Sequence, residues 1–448
     1  MKKYIPLFMF LAVTASSCDK KLDLLPQQSV AEEVALSSDA NVKKVLNGCY
    51  DALSTADLLG GHVMLYSELL AADGEILWEG TYNQPRDVYR KDILTTNSFV
   101  RDTWLTAYRT INIANNVLTG IDVVTAADKN RVKGEALFIR GTVYFELMKL
   151  YAKPYSAGSV TSNLGVPLIL TPTRGINESN NVARSTVEEV YTRILTDLTE
   201  AESLLPNTNG SYATKPAASA MLSRVYLQME RFTDARDAAD RAISVATANG
   251  KSLTSTYAAA FNNATNPTEY LFAMQVSAQD GANAMHEFWS IPEYGGRDGD
   301  VSIQAKHLAL YAPTDARRAL FYTGAGATRS GKWQQQFKVL PIIRLAELYL
   351  TRAEANFRAG TVIGATPLAD VNRIRARVGL LPLVTVTLND ILNERKLELA
   401  HEGHAVADLK RLRRSADGFA YNANKMVFPI PQREVDASNG VVKQNDGY

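Results

Sequence analysis

Residues 216–244 read PAASAMLSRVYLQMERFTDARDAADRAIS, and this stretch decides the fold. Pro216 suits a first helical turn, where its missing N–H costs nothing. Leu222, Ser223 and Tyr226 then fall on one helix, and Glu230 and Arg231 turn the chain. Phe232, Ala235, Ala239 and Ala242 line a second helix. Small residues at the crossing let two antiparallel helices approach closely, while Tyr226 and Phe232 fill the flanks. The pattern resembles a tetratricopeptide-type helix pair. One such pair cannot bury its own apolar face, so others must stack on it.

Further pairs are expected on both sides. Leu345 to Ala359, rich in Ala and Leu, reads as the first helix of another copy, with Leu368 to Val378 after Pro367 as its partner. Ala136 to Tyr151 and Val187 to Leu205 form a third, split by an insertion across Pro154 to Arg184. Within Gly134 to Ala152, Ala136, Ile139, Val143, Leu147 and Leu150 mark one face, while Phe138, Thr142 and Phe145 mark another. A helix apolar on two sides is sandwiched between neighbours. Ser185 and Glu188 have capping-box spacing at the start of the next helix, and Pro206 stops it.

Between Thr254 and Lys338 the character changes. Gly, Pro, Asn and aromatics alternate with short extended runs such as Leu271 to Val276. Irregular segments of this length inside a compact domain are usually functional or disordered, and the aromatics favour function. The fold class expected is therefore mainly α, a helical-repeat scaffold with a loop-rich irregular half carrying short strands. No Pro/Ser-rich or Gly/Ser-rich linker divides the chain, so residues 18–448 are expected to form one interwoven domain. Its parts are an N-terminal region over about 19–215, the helix pair 216–244, a loop-rich binding region over about 254–338 and a C-terminal region over about 339–448.

The amino terminus points outside the cell. Lys2 and Lys3 precede an apolar run from Ile5 to Val13, and Ala15, Ser16 and Ser17 lead into Cys18. This is the layout of a secretory signal peptide over residues 1–17, too short to span a bilayer as a mature helix. A cysteine directly after the cleavage site reads as a bacterial lipobox, with lipid on the Cys18 sulfur as the anchor. Of the two cysteines, Cys49 is then unpaired, and it shares a helical face with Val42, Val45, Leu46 and Leu53, which predicts an inert, buried thiol. The chain holds 48 basic and 47 acidic residues, and removal of Lys2 and Lys3 leaves 46 against 47. No basic stripe appears, so nucleic acid is not an expected partner.

Candidate ligand-binding residues are flat aromatics beside amides and guanidinium groups, since a few polar groups over an apolar floor fix the orientation of a bound ligand. Trp78, near Gly74 and Gly80, has Tyr82, Asn83 and Arg86 close by. Trp289 and Tyr294 flank Pro292, and Arg297 follows in loop chemistry. Trp333 lies between Lys332 and Gln334. Trp104, in helical register with Tyr108, Ile111 and Asn115, is expected in the core. Glu394, Arg395, Glu398, Glu402, Asp408, Lys410 and Arg411 could be read as carboxylates for acid/base hydrolysis, but ion pairs bracing helices are the favoured use. His401 and His404 around Glu402 lack the spacing of a metalloprotease helix. No metal, cofactor or catalytic residue is expected.

A series of pieces runs along the chain: Cys18-Asp19 with Leu22 to Pro26, Trp104 to Asn116, Ala136 to Tyr155 and Gly165-Val166-Pro167-Leu168. Then come Arg184 to Pro206, Ala217 to Ile243, Arg344 to Ala355, Val371 to Gly379, Ile391 to Leu412, Phe428 to Glu434 and Gln444 to Tyr448. In their order and spacing the chain resembles the SusD/RagB family of outer-membrane lipoproteins. Ala405-Val406-Ala407 departs from the family, which has Arg and a bulky aromatic after Glu402-Gly403-His404. The resemblance implies a SusD-like fold, a surface-exposed, lipid-anchored place at the outer membrane, and oligosaccharide binding without bond cleavage. It also implies delivery to a SusC-like, TonB-dependent transporter. Peptide capture by a RagB-like protein is the alternative within the family, and a surface glycosidase is the alternative of another class.

Overall fold

The computed structural model describes residues 32–175 and 180–448. The signal segment, Cys18 and the Leu22 to Pro26 piece lie outside the described residues. The helices that build the frame begin with α1 (Asp39–Ser54), α2 (His62–Leu70), α3 (Asn83–Arg90) and α4 (Ser98–Thr119). α5 (Ala126–Tyr151), α6 (Val187–Leu204), α7 (Lys215–Gln228) and α8 (Phe232–Ala248) follow. Beyond the irregular stretch and its short α9 (Ala284–Trp289) come α10 (Leu345–Ala359), α11 (Pro367–Arg377), α12 (Leu388–Glu398) and α13 (Ala405–Arg411). Packing runs in series: α1 on α4, α4 on α5, α5 on α6, α6 on α7, α7 on α8, α8 on α10 and α10 on α11. This is a mainly helical stack of antiparallel pairs.

Local chemistry accounts for the pair at residues 215–248. Thr214 caps α7 by accepting from the Ala217 N–H, and Pro216 sits in the first turn. Glu230 makes the bend with φ of 57°, and α8 starts two residues later. Ala235, Ala238, Ala239, Ala242 and Ala246 are all buried on α8, so its backbone can approach both neighbours. In α5 glycine performs the same service. A Cβ on Gly134 would meet Leu205 Cγ at 3.0 Å, and one on Gly141 would meet Leu198 Cγ at 3.0 Å. α5 is buried on almost every side from Glu135 to Met148, as its two apolar faces require.

The capping box of α6 differs by one residue from the sequence expectation. Thr186 and Glu189 form it, not Ser185 and Glu188. The reason is strand β3 (Arg184–Thr186), which pairs with β2 (Leu164–Pro167) and holds the chain extended through Thr186. Cys49 is fully buried, and Trp104 is 2% exposed with its ring edge-on to Tyr151. Burial pushes the Cys49 thiol well above its ordinary pKa.

The irregular half is held by two-stranded pairings. β1 (Ile76–Trp78) runs antiparallel to β5 (Val301–Ile303), with Trp78 opposite Val301. β4 (Tyr270–Met274) pairs with β8 (Leu340–Arg344), which leads directly into α10. β6 (Phe321–Gly324) and β7 (Ala327–Ser330) form a hairpin whose Ala325-Gly326 turn has both φ angles positive, the hand that matches strand twist.

A buried ion network joins this half to the frame. Arg344 donates to Glu269 at 2.7 Å, to Glu398 at 2.9 Å and to Glu402 at 2.6 Å, while Arg377 bonds Glu269 and Glu398. Arg317 joins Asp315 at 2.7 Å and Glu394 at 2.6 Å. Because each of these side chains is almost fully buried, removal of any one would leave an uncompensated charge in the interior.

Candidate functional site

Burial removes three of the proposed aromatic platforms. Trp78 is 6% exposed, Trp289 0% and Trp333 4%. Trp78 is on the inward face of β1 with Ile76, and its ring packs 5.8 Å from Phe288. Trp289 ends α9 and lies 4.8 Å from the ring of His401. Trp333 donates its indole N–H to the His401 carbonyl at 3.0 Å and packs edge-on to Phe261. Their glycine- and proline-rich surroundings do mark irregular backbone. That backbone folds over the rings, so irregularity did not mean exposure.

The remaining candidates sort into two places. Tyr82 is 41% exposed and precedes the first residue of α3. The Arg297 guanidinium lies 3.9 Å from the centre of its ring. Arg297 is fixed by bonds to Asp300 and to the Thr81 hydroxyl. Exposed Asn83 accepts from Arg86 at 2.9 Å, and Arg86 also donates to the Gly80 carbonyl at 2.9 Å. Tyr82, Asn83, Arg86 and Arg297 therefore form one polar and aromatic surface. Half-buried Tyr294, from the same loop as Arg297, pairs instead with Tyr322, ring centres 5.7 Å apart.

Two residues not singled out in the sequence hold this surface in place. The Asp300 side chain is fully buried, with one oxygen on Arg297 and the other without a hydrogen-bond partner in the protein. Burial pushes its carboxyl upward, and the Arg297 bond opposes that shift. The chain crosses directly above it at Gly80, where a Cβ would fall 2.1 Å from Asp300 Oδ1 and 2.6 Å from Trp78 Cζ2. Arg329, 2% exposed, donates to Glu79 at 3.0 Å and to the carbonyls of Gly324 and Ala325 at 3.1 Å. It thus ties the β6–β7 hairpin to the end of β1. The acid three residues after Arg297 was a signal in the sequence; the reach of Arg329 across the fold had none.

Chemically, the surface offers a ring, a backing cation, an amide and a second guanidinium, a set that binds hydroxyl-bearing rings. The carboxylates of the C-terminal helices are committed elsewhere. Glu398 is held down at about 2 because Arg377, Arg344 and Arg317 outweigh the upward effect of burial. Burial also pushes His401 and His404 well below the ordinary histidine value.

Comparison with known proteins bears on the family of the chain. Residues 20–227 match the family model described as starch-binding and associating with the outer membrane, and residues 321–426 match the model of the SusD family. The chain belongs to the SusD/RagB family. Among SusD relatives, the SusD-like protein P2 of Formosa agariphila is 24% identical over the full length of both chains. The starch-binding protein SusD of Bacteroides thetaiotaomicron is 33% identical over 34% of each chain. Among solved structures, a putative sugar binding protein from Bacteroides vulgatus superposes with a TM-score of 0.82 at 28% identity, covering 92% of this chain and 99% of its own. A SusD superfamily protein from Bacteroides thetaiotaomicron gives 0.81 at 26% identity, covering 91% and 99%. SusD-family proteins associate with the outer membrane, and among the described residues no helix is long and apolar enough to cross one.

Proposed function

We propose that this protein binds oligosaccharide on the surface built by Tyr82, Asn83, Arg86 and Arg297, and passes it to a SusC-like, TonB-dependent transporter without cutting it. The observation that carries the reading is the exposed Tyr82 ring backed at 3.9 Å by Arg297. A backed ring is rigid before the ligand arrives, so little freedom is lost when a sugar stacks on it. Asn83 and Arg86 at its edge supply directed hydrogen bonds to ring hydroxyls. The starch-binding description of the matched family model and the sugar-binding relative of similar fold support the same ligand class. Cys18, acylated after signal cleavage, would tether the protein at the cell surface, and tethering raises the ligand concentration beside the transporter.

The test is to mix the purified mature protein with labelled oligosaccharides and labelled peptides, following both binding and the appearance of new reducing ends. Binding of one or more oligosaccharides with no new ends is expected. Binding of peptides alone would move the protein to the RagB-like alternative. Turnover in excess of the protein present would make it a glycosidase.

A further inference from the structure

A cleft of about 210 Å³, separate from the Tyr82 surface, opens where α2, α12 and α13 meet the segment around His307. Its floor is apolar, formed by Ile76, Leu392, Leu399 and Leu409. Most charged groups on its wall already have partners. Glu75 accepts from His307 at 2.9 Å and from Lys396, and Asp408 accepts from Arg395 at 2.9 Å and from Arg411 at 2.7 Å.

Two charged groups are different. Glu68 is 6% exposed and lines the cleft. Its Oε1 accepts from the Gly403 N–H at 2.8 Å and the Ala405 N–H at 3.4 Å. Among the described residues its Oε2 has no hydrogen bond and the carboxylate has no ion pair. Burial pushes this carboxyl up to about 7, against the pull of those two N–H groups. Arg414 lines the exposed mouth and likewise has no side-chain hydrogen bond or ion pair among the described residues. His401, 3% exposed, lines the same cleft with neither ring nitrogen hydrogen-bonded in the protein.

A buried, unpaired carboxylate is costly, and a cation placed on it recovers much of that cost. Here a buried carboxyl without an ion pair, an exposed unpaired cation and apolar side chains line one cleft. We propose that this cleft is a second binding site, specific for a small zwitterion with an apolar middle, whose ammonium group seats on Glu68 and whose carboxylate meets Arg414. An ω-amino acid and a dipeptide of apolar residues share that chemistry. Ala405 contributes only a methyl group to the wall.

Calorimetric titration of the mature protein with 6-aminohexanoate, hexylamine and hexanoate tests the proposal. 6-Aminohexanoate should bind most tightly, hexylamine more weakly, and hexanoate not measurably. Glu68→Gln retains an acceptor for the Gly403 and Ala405 N–H groups while removing the charge, and should weaken 6-aminohexanoate by at least about tenfold. Arg414→Gln should reduce 6-aminohexanoate to the level of hexylamine and leave oligosaccharide binding unchanged. Ala405→Met fills the cleft without altering its charges and should abolish binding of both amines, which keeps the test decisive if Glu68→Gln does not fold. Absence of binding by all three probes, hexanoate binding as well as 6-aminohexanoate, or full affinity in Glu68→Gln or Ala405→Met would overturn the proposal.

Discussion

Asp300 and Gly80 set the position of the proposed sugar-binding surface although neither presents a side chain to the ligand. Asp300 holds Arg297, which backs Tyr82, and Gly80 lets the chain pass over Asp300 and Trp78 with no room for a Cβ. Gly80→Ala must displace that crossing and should weaken oligosaccharide binding about tenfold, with a smaller loss of stability, read by titration and thermal unfolding. Trp289→Phe should behave in the opposite way. It removes buried volume beside His401 and should lower stability by about 1–3 kcal/mol while leaving sugar affinity unchanged. At this scale the sequence was half legible. Tyr82, Asn83, Arg86 and Arg297 are polar or amphipathic residues in irregular or terminal positions, and the structure gathers them. The exposure of Trp78, Trp289 and Trp333 depends on which loops fold over which rings, and residue neighbours along the chain carry no such information. A three-residue strand such as β1 is also too short for its alternation of buried and exposed positions to be recognised in advance.

Among the elements, α7, α8 and α10 were readable because each carries a complete local signature. α7 has a cap and an early proline, α8 has an alanine face, and α10 ends on Gly360 in the left-handed conformation. The start of α6 was misplaced by one residue because a tertiary pairing, β3 with β2, overrides the local capping signal. Of the charged residues read as ion-paired on the C-terminal helices, all but Lys410, which donates to the Lys149 carbonyl, are so paired, yet partners such as Arg317 and Arg344 lie far off in sequence and only the fold brings them together. Arg344→Met leaves Glu269, Glu398 and Glu402 short of their shared cation and should cost about 3–5 kcal/mol in chemical unfolding. The network also sets the acid limb of stability. Glu398 titrates at about 2 when folded against an ordinary value of 4.5, so the unfolded chain takes up its proton first as pH falls. Its contribution is therefore complete above 4.5 and is lost as the pH falls towards about 2. Glu398→Gln should lower stability at neutral pH and flatten the fall of melting temperature across that acid window. An unchanged acid slope would show that the arginines do not act through Glu398.

For the whole molecule, the stack of helix pairs forms a stiff frame, and the buried arginine–carboxylate network fastens the irregular half to it. That arrangement lets a binding surface made of loops keep one geometry. Cys18→Ala should release the protein from the membrane fraction of producing cells, whereas unchanged retention would count against the anchor. The central claim is that Tyr82 backed by Arg297 is the sugar-binding surface. It is tested most directly by calorimetric titration of an oligosaccharide that binds the wild type into the double variant Tyr82→Ala/Arg297→Ala. The account predicts that affinity falls by at least about tenfold while the fold is retained. Wild-type affinity in a folded double variant would contradict it.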